Sequence, residues 1–204
     1  MQHADAGDPA PTRRLRRAER REQITTAATR AFARTGFTAT SLDDIAAEAG
    51  ISRVILYRHF DSKTDLYQAV LDRACIRLAE TVGTADYGEQ TIRTLLAAAS
   101  ADPEGFRLLF RHAAREPDFH EMTDQLTAAA TDIARRHIAA LVPDPRWAHW
   151  AGQLAPMLAI EAVIAWLDAG QPDPDRAADR IAHAIDGVIQ AAQLSHYTPA
   201  PRLG

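Results

Sequence analysis

Apolar residues recur at three- and four-residue spacings along most of this chain, and no stretch alternates with a period of two. That pattern predicts an all-α fold. Ile24, Ala28, Ala31 and Phe32 share one face of a first long helix, Gly36 stops it, and Phe37 is expected beneath the next element as core. Leu42, Ile45, Ala46 and Ala49 then share a face behind Ser41, a good N-cap, with Asp44 adding an acid to the first turn and Gly50 ending the helix. Ser52 begins a second short helix whose Leu56 and Phe60 lie four apart and point inward. A longer helix starts at Asp61 and Ser62, runs through Leu66, Val70 and Leu78 to about Val82, and stops at Gly83; its roughly 20 residues reach about 30 Å. From Tyr87 onward the spacing predicts helices over residues 89–100, 103–115, 117–141, 145–169 and 174–194. Pro103, Pro117, Pro145 and Pro174 stand in the first turns of four of them. Residues 1–12 read as a disordered arm and residues 197–204 as a frayed end.

The stretch from Ser41 to Phe60 organises the rest. Its two apolar stripes are too small for a self-sufficient core, so the helices have to pack on each other and on a neighbour. A tight turn between two such helices lets the second protrude into a major groove. Arg53, Val54, Tyr57, Arg58 and His59 then fall on its other faces, with Ser52 at its start. Thr38 and Thr40 lie in the preceding loop, where hydroxyls and amides can hold a phosphate. Lys63, the sole lysine, sits in the first turn of the next helix, where the dipole disfavours a cation. A phosphate at that point would explain it. Arg13, Arg14, Arg16, Arg17, Arg20 and Arg21 form either a solvated basic end or an arm for phosphate or the minor groove.

Charge supports this division. The chain carries a formal −4, but residues 1–63 hold 11 basic against 8 acidic side chains, while residues 64–204 hold 12 against 19. The basic end coincides with the two short helices; the acidic remainder is repelled by phosphate and has another task. A single cysteine, Cys75, excludes an intramolecular disulfide or thiolate cluster and suits a reducing cytoplasm. Neither a signal peptide nor a membrane partner is expected: the amino end is polar, and the most apolar run, residues 155–167, is short and holds Glu161. No H-E-x-x-H, G-x-S-x-G, phosphate loop or dinucleotide fingerprint occurs, so neither catalysis nor a cofactor nor a metal is expected. A constellation invisible in sequence, or an interaction module on a degenerate scaffold, remain the other readings.

Two further groups stand out. Ala151, Ala155, Leu158, Ala159, Ala162, Val163 and Trp166 make a broad face of small and apolar residues, and Ile181, Ala184, Ile185, Val188 and Ala192 make another. Two such helices from each of two subunits would form a four-helix bundle; the alternative is that both faces are buried within one subunit. Phe106, Leu109, Phe110, Met122, Leu126, Trp147, Trp150 and Met157 supply large side chains either to a helical core or, as a group, to an apolar ligand cavity. Glu161 would contact Arg107 or Arg111, face solvent, or meet a cationic ligand.

The run T-S-L-D-D-I-A-A-E-A-G-I-S-R-V-I-L-Y-R-H-F-D-S-K resembles the DNA-binding signature of TetR-family transcriptional regulators, with agreement from about Arg20 to Leu66. Val54 departs from it, since the family often has glycine there. The resemblance implies an arm (1–12), a three-helix helix-turn-helix domain (13–63) and a helical effector-binding and dimerisation domain (64–204). It implies a cytoplasmic homodimer that binds a palindromic operator on double-stranded DNA, a repressor released by a small apolar effector. Activation, or regulation without an effector, is the alternative. Thr40, Ser52, Arg53, Val54, Tyr57, Arg58, His59 and Lys63 would meet DNA. Phe106, Phe110, Met122, Leu126, Trp147, Trp150, Met157 and Glu161 would line the effector site. Ala155, Ala159, Ala162, Trp166, Ile181, Ile185 and Val188 would form the dimer interface.

Overall fold

The computed structural model describes residues 17–82 and 89–194, and among them every regular element is helical. The order is α1 (Arg17–Ala39), α2 (Leu42–Glu48), α3 (Arg53–Tyr57), α4 (Lys63–Val82), α5 (Glu89–Ala101), α6 (Pro103–Arg107), α7 (His120–Ala139), α8 (Pro145–Asp168) and α9 (Pro174–Gln193). The expected arm, Arg13, Arg14, Arg16, Gly83, Tyr87 and the expected frayed end lie outside the described residues.

Local chemistry explains most boundaries. Gly36 takes φ +78° inside α1 and turns its last residues out of line. Asp102 and Asp144 accept from the amides of Gly105 and Arg146 at the starts of α6 and α8, each ahead of a proline. Asp173 differs: it is left-handed, and its carboxylate accepts from Arg180 rather than capping α9.

Two expected helices need correction. The segment 103–115 is not one α-helix, because α6 passes into a π turn over Leu108–His112 and a 3-10 turn over Ala113–Arg115. Across the π turn Arg107 and Arg111 both donate to Asp168, at 3.0 and 2.7 Å, while Leu108 and Leu109 are both buried. Asp168 at the end of α8 is thus the partner of these arginines; Glu161 is exposed. The segment 117–141 begins later than Pro117 suggests. Phe119 is buried against Tyr67 and Phe37, its amide donates to Glu116, and α7 starts only at His120.

Two clusters of buried side chains hold the elements. The first joins Ile24 and Phe32 of α1, Ile45 of α2, Leu56 and Phe60, and Leu66, Tyr67 and Val70 of α4, and it runs past residue 63 to Leu108, Leu109, Ala113 and Phe119. At its centre the Tyr67 ring lies 4.8, 4.9 and 4.6 Å from those of Phe32, Phe37 and Phe119. The second is built by α5, α7, α8 and α9 around Leu96, Ile138, Val163, Ile164 and Ile181. Within α8 the ring of Pro156 removes the bond to the carbonyl four residues back, at Gly152. At Gly152 α7 also approaches closely: a Cβ there would lie 3.1 Å from Cα of Arg135. Helix α8 is long and apolar enough to cross a membrane by length and composition, but half of its most apolar window is buried against other helices.

The joint between the π turn and α1 is polar. His112 is hydrogen-bonded to the carbonyl of Ala33, and its Nδ1 lies 3.4 Å from where a side chain on Gly36 would begin. Burial pushes the His112 pKa below its ordinary 6.5, outweighing the Ala33 carbonyl, which raises it. A histidine depressed in the folded state refuses protons that the unfolded chain accepts. Its contribution is therefore fully present above the unfolded value and is lost as pH falls below about 6.5. Replacement His112→Gln is expected to reduce that acid-side loss of stability, read as the midpoint of urea unfolding between pH 7.5 and pH 5.5. An unchanged pH profile would remove His112 from this role.

Candidate nucleic-acid interface

Helices α2 and α3 are connected by a turn whose chemistry is local. Ser41 accepts from the amide of Asp44, and the Asp44 carboxylate accepts from the amide of Ser41, both at 3.1 Å: a complete capping box. That box, chiefly the Ser41 hydroxyl, also draws the Asp44 pKa down. At the other end Gly50 takes φ +63°; its amide donates to Ala47 and that of Ile51 to Ala46, the paired bonds of a Schellman motif.

Helix α1 secures both short helices. Glu48 closes α2, where a carboxylate opposes the helix dipole. Arg34 and Arg30 of α1 bond it and hold its pKa below the usual carboxylate range. Gln23 donates to the carbonyl of Ala49 at 2.7 Å. Arg21 donates to the carbonyl of His59 at 2.8 Å, and its guanidinium lies 4.1 Å from the centroid of the Phe60 ring. Arg21 is therefore part of the support, a role that the run of arginines in the sequence conceals. Arg17 is exposed, and Arg20 bonds Gln23.

With Leu56 and Phe60 buried beneath it, α3 presents Arg53, Val54, Tyr57 and Arg58 to solvent, Val54 at 64% exposure. Ser52 is exposed and its hydroxyl does not bond the amides of α3. His59 is half-buried; burial, then Arg17, Arg21 and Arg20, push its pKa down, so near neutral pH it presents an uncharged ring. Lys63 donates to the carbonyl of Thr38 at 3.2 Å and sits 4.5 Å from the centroid of the Phe37 ring. An ammonium has three donors, so two remain for an anion at this edge. Thr40 is placed otherwise than expected. Its hydroxyl is buried and donates to the carbonyl of Gly36 at 2.7 Å, with Thr35 Oγ1 2.8 Å away, so it ties the loop to α1 and does not reach a phosphate.

The residues expected for the other two roles are redistributed. Ala155, Ala159, Ile181 and Ile185 do not form an outward surface: they are buried in the second cluster within one subunit. Ala162, Trp166 and Val188 are half-buried, and the Trp166 indole donates to the carbonyl of Pro172. Of the expected ligand contacts, Phe106 is buried with Phe110 beside it, ring centroids 4.8 Å apart. Leu126 borders a groove between α4 and α7 with Cys75, Ile76 and Ala129. The Met122 side chain lies outside what is described. Trp147, Trp150, Met157 and Glu161 face solvent, while the buried side of α8 is formed by Ala151, Ala155, Ala159, Val163 and Ile164. A cleft of about 400 Å³ opens instead between α5, α7 and α9, over Ile138, Ala155 and Ile185, with Arg93, His137 and His183 at its wall. Among the described residues no cluster of three metal-ligating side chains occurs.

Comparison with known proteins agrees with this geometry. Residues 24–70 match the family described as bacterial regulatory proteins, tetR family. The chain is 32% identical over 204 residues to the HTH-type transcriptional activator FasR of Mycolicibacterium smegmatis, an alignment spanning 94% of this chain and 90% of FasR. It is 50% identical over 54 residues to the HTH-type transcriptional regulator TtgR of Pseudomonas putida, spanning 26% of each. Among solved structures, a TetR-like transcriptional regulator from Rhodococcus sp. RHA1 superposes with a TM-score of 0.72 at 23% identity, covering 87% of this chain and 97% of that one.

The support assigned to Arg21 separates from simple charge. Arg21→Ala is expected to cost about 1 kcal/mol of stability, through the lost bond to His59 and the lost contact with Phe60. Arg17→Ala, which removes an exposed charge of the same sign, should leave stability unchanged. Urea unfolding of both variants checks this, and equal midpoints would contradict it.

Proposed function

The chain belongs to the TetR family of bacterial regulatory proteins, a DNA-binding transcriptional regulator and not an enzyme, and from that premise we propose that it acts in the cytoplasm as a ligand-responsive homodimer on a palindromic operator. The observation that carries this reading is the side-chain placement on α3: an inner face anchored by Leu56 and Phe60, and an outer face of Arg53, Val54, Tyr57 and Arg58 exposed to solvent. Tyr57 and Lys63 hold phosphates, while Arg53, Arg58 and His59 meet base edges or nearby backbone, arginine being suited to bidentate guanine contacts. Ser52 and Val54 flank them.

Two copies meet through the outward faces of α8 and α9. Trp147, Trp150 and Met157 on α8 are exposed at 45, 40 and 57%, too much apolar area to leave in water on one helix. The exposed stripe of α9 offers small residues, Ala184, Gly187 and Ala191, which permit close approach. This face replaces the buried one as the dimer surface. A two-fold pair then sets two α3 helices about one turn of duplex apart or somewhat more.

The effector is a small apolar molecule admitted between α4 and α7, where Ile76 is 58% exposed beside Cys75 and Leu126. Binding there shifts the population of subunit orientations through α4, whose first turn carries Lys63. Repression by operator occupancy, relieved by the effector, is the first reading. Activation is the second, favoured by the near-full-length likeness to an activator. Footprinting on a regulated promoter distinguishes them: protection across the promoter supports repression, protection upstream supports activation.

Lys63→Ala is expected to weaken all duplexes alike and to lower the slope of log affinity against log salt by about one, whereas Arg53→Ala alters site preference. A preserved slope would remove the lysine from the interface. Met157→Glu is expected to raise the dimer dissociation constant by about tenfold or more, measured by sedimentation. A variant as dimeric as the parent would place the interface elsewhere.

A further inference from the structure

Asp43 lies in the first turn of α2 beside Asp44, yet takes no part in the capping box that Asp44 and Ser41 complete. Its Oδ2 accepts from Nη1 of Arg53, 2.8 Å away on α3. Nη2 of the same guanidinium donates to the Tyr57 hydroxyl at 3.2 Å, and its carbon lies 5.5 Å from the centroid of the Tyr57 ring. The side chains of Arg53 and Asp43 are exposed by 52 and 66%. An ion pair so exposed contributes little to folding. It also opposes general attraction to DNA, because a carboxylate on the reading surface repels phosphate and cancels one cation of the recognition helix. Neither stability nor affinity explains why it stands there.

Geometry does. A free arginine on this surface reaches a phosphate as readily as a base edge, and phosphate contacts carry no sequence information. Arg53 is held at one terminal nitrogen by Asp43 and at the other by Tyr57, which biases its plane relative to α3 before DNA arrives. A guanidinium carries five N–H donors, and two of them make a bidentate contact with O6 and N7 of guanine. Part of the rotamer freedom that such a contact would otherwise remove is then given up in advance.

We propose that Asp43 is a positioning residue for sequence recognition: by pinning Arg53 against Tyr57 it aims the guanidinium at a guanine edge and withholds it from phosphate, at the expense of affinity for arbitrary sequence. The inference rests on the assignment of Arg53 to the DNA-reading face.

The test uses the full chain and a pool of duplexes with a randomised centre. Wild type, Asp43→Asn, Arg53→Ala and the double variant each select from the pool. Affinities are then measured for the wild-type-enriched duplex and for a shuffled one at a single salt concentration. Wild type is expected to enrich a guanine at one fixed position per half-site, and Arg53→Ala to lose that preference. Asp43→Asn should bind the shuffled duplex as well as wild type or severalfold better. Its enriched-to-shuffled ratio should fall by about tenfold, within the discrimination one bidentate pair supplies. In the Arg53→Ala background Asp43→Asn should add nothing to that loss. If Asp43→Asn keeps both motif and ratio while Arg53→Ala alters them, Arg53 reads without help and only the role of Asp43 is overturned. If Arg53→Ala leaves the motif intact, the assignment of Arg53 falls and the inference with it. An equal further loss on adding Asp43→Asn to the Arg53→Ala background would show that Asp43 acts on something other than Arg53, which also overturns it. Thermal unfolding of Asp43→Asn, an exposed change outside the capping box, verifies that the comparison is between folded proteins.

Discussion

A recognition helix of five residues has no core of its own, and that shortage governs the rest of the structure. Isolated helices of this length do not hold together in water, so α3 is defined by what lies under and around it. Leu56 and Phe60 anchor it from below. Arg21 holds the carbonyl at its far end, and Gln23, Arg30 and Arg34 fix α2, against which it turns. The orientation of the reading face is consequently a property of α1 and α4, not of α3.

Because α1 and α4 also contact the remainder of the chain, the reading face is tied to distant residues. Leu108, Leu109, Ala113 and Phe119 belong to the same buried cluster as Ile45 and Leu56. Between them and α8 stands the π turn, latched by Arg107 and Arg111 onto Asp168 and by His112 onto the carbonyl of Ala33. A displacement at the end of α8 has to be absorbed in this turn or passed to α1. π turns are uncommon insertions that recur at functional sites, and this one lies between the two clusters.

The helix-turn-helix was legible in the sequence because its determinants are local: Ser41 with Asp44, Gly50 before Ile51, Leu56 four residues before Phe60. Long-range determinants were not. An apolar stripe shows that a helix face is covered but not by what, so Ala155, Ala159, Ile181 and Ile185 looked suited to a partner subunit and are instead the core of one. The same ambiguity put Trp147, Trp150 and Met157 in a cavity, when they stand on the exposed side of α8, opposite Ala151, Ala155 and Val163. Pro117 resembled a first-turn proline because the burial of Phe119 against Tyr67, 52 residues upstream, has no local sign. Thr40 sat in a loop suited to phosphate; only the fold shows its hydroxyl turned inward to Gly36.

Helix α4 carries the chain's single side-chain amine and its single thiol, Lys63 and Cys75. Twelve residues of helix separate them, about 18 Å along the axis. One stands at the edge of the reading face, and the other borders the groove toward α7. Burial pushes the thiol pKa up to about 11, so little of it is thiolate near neutral pH and its alkylation is slow. The two side chains thus give helix α4 a separate chemical handle near each end: a thiol for the groove toward α7 and a side-chain amine beside the helix-turn-helix.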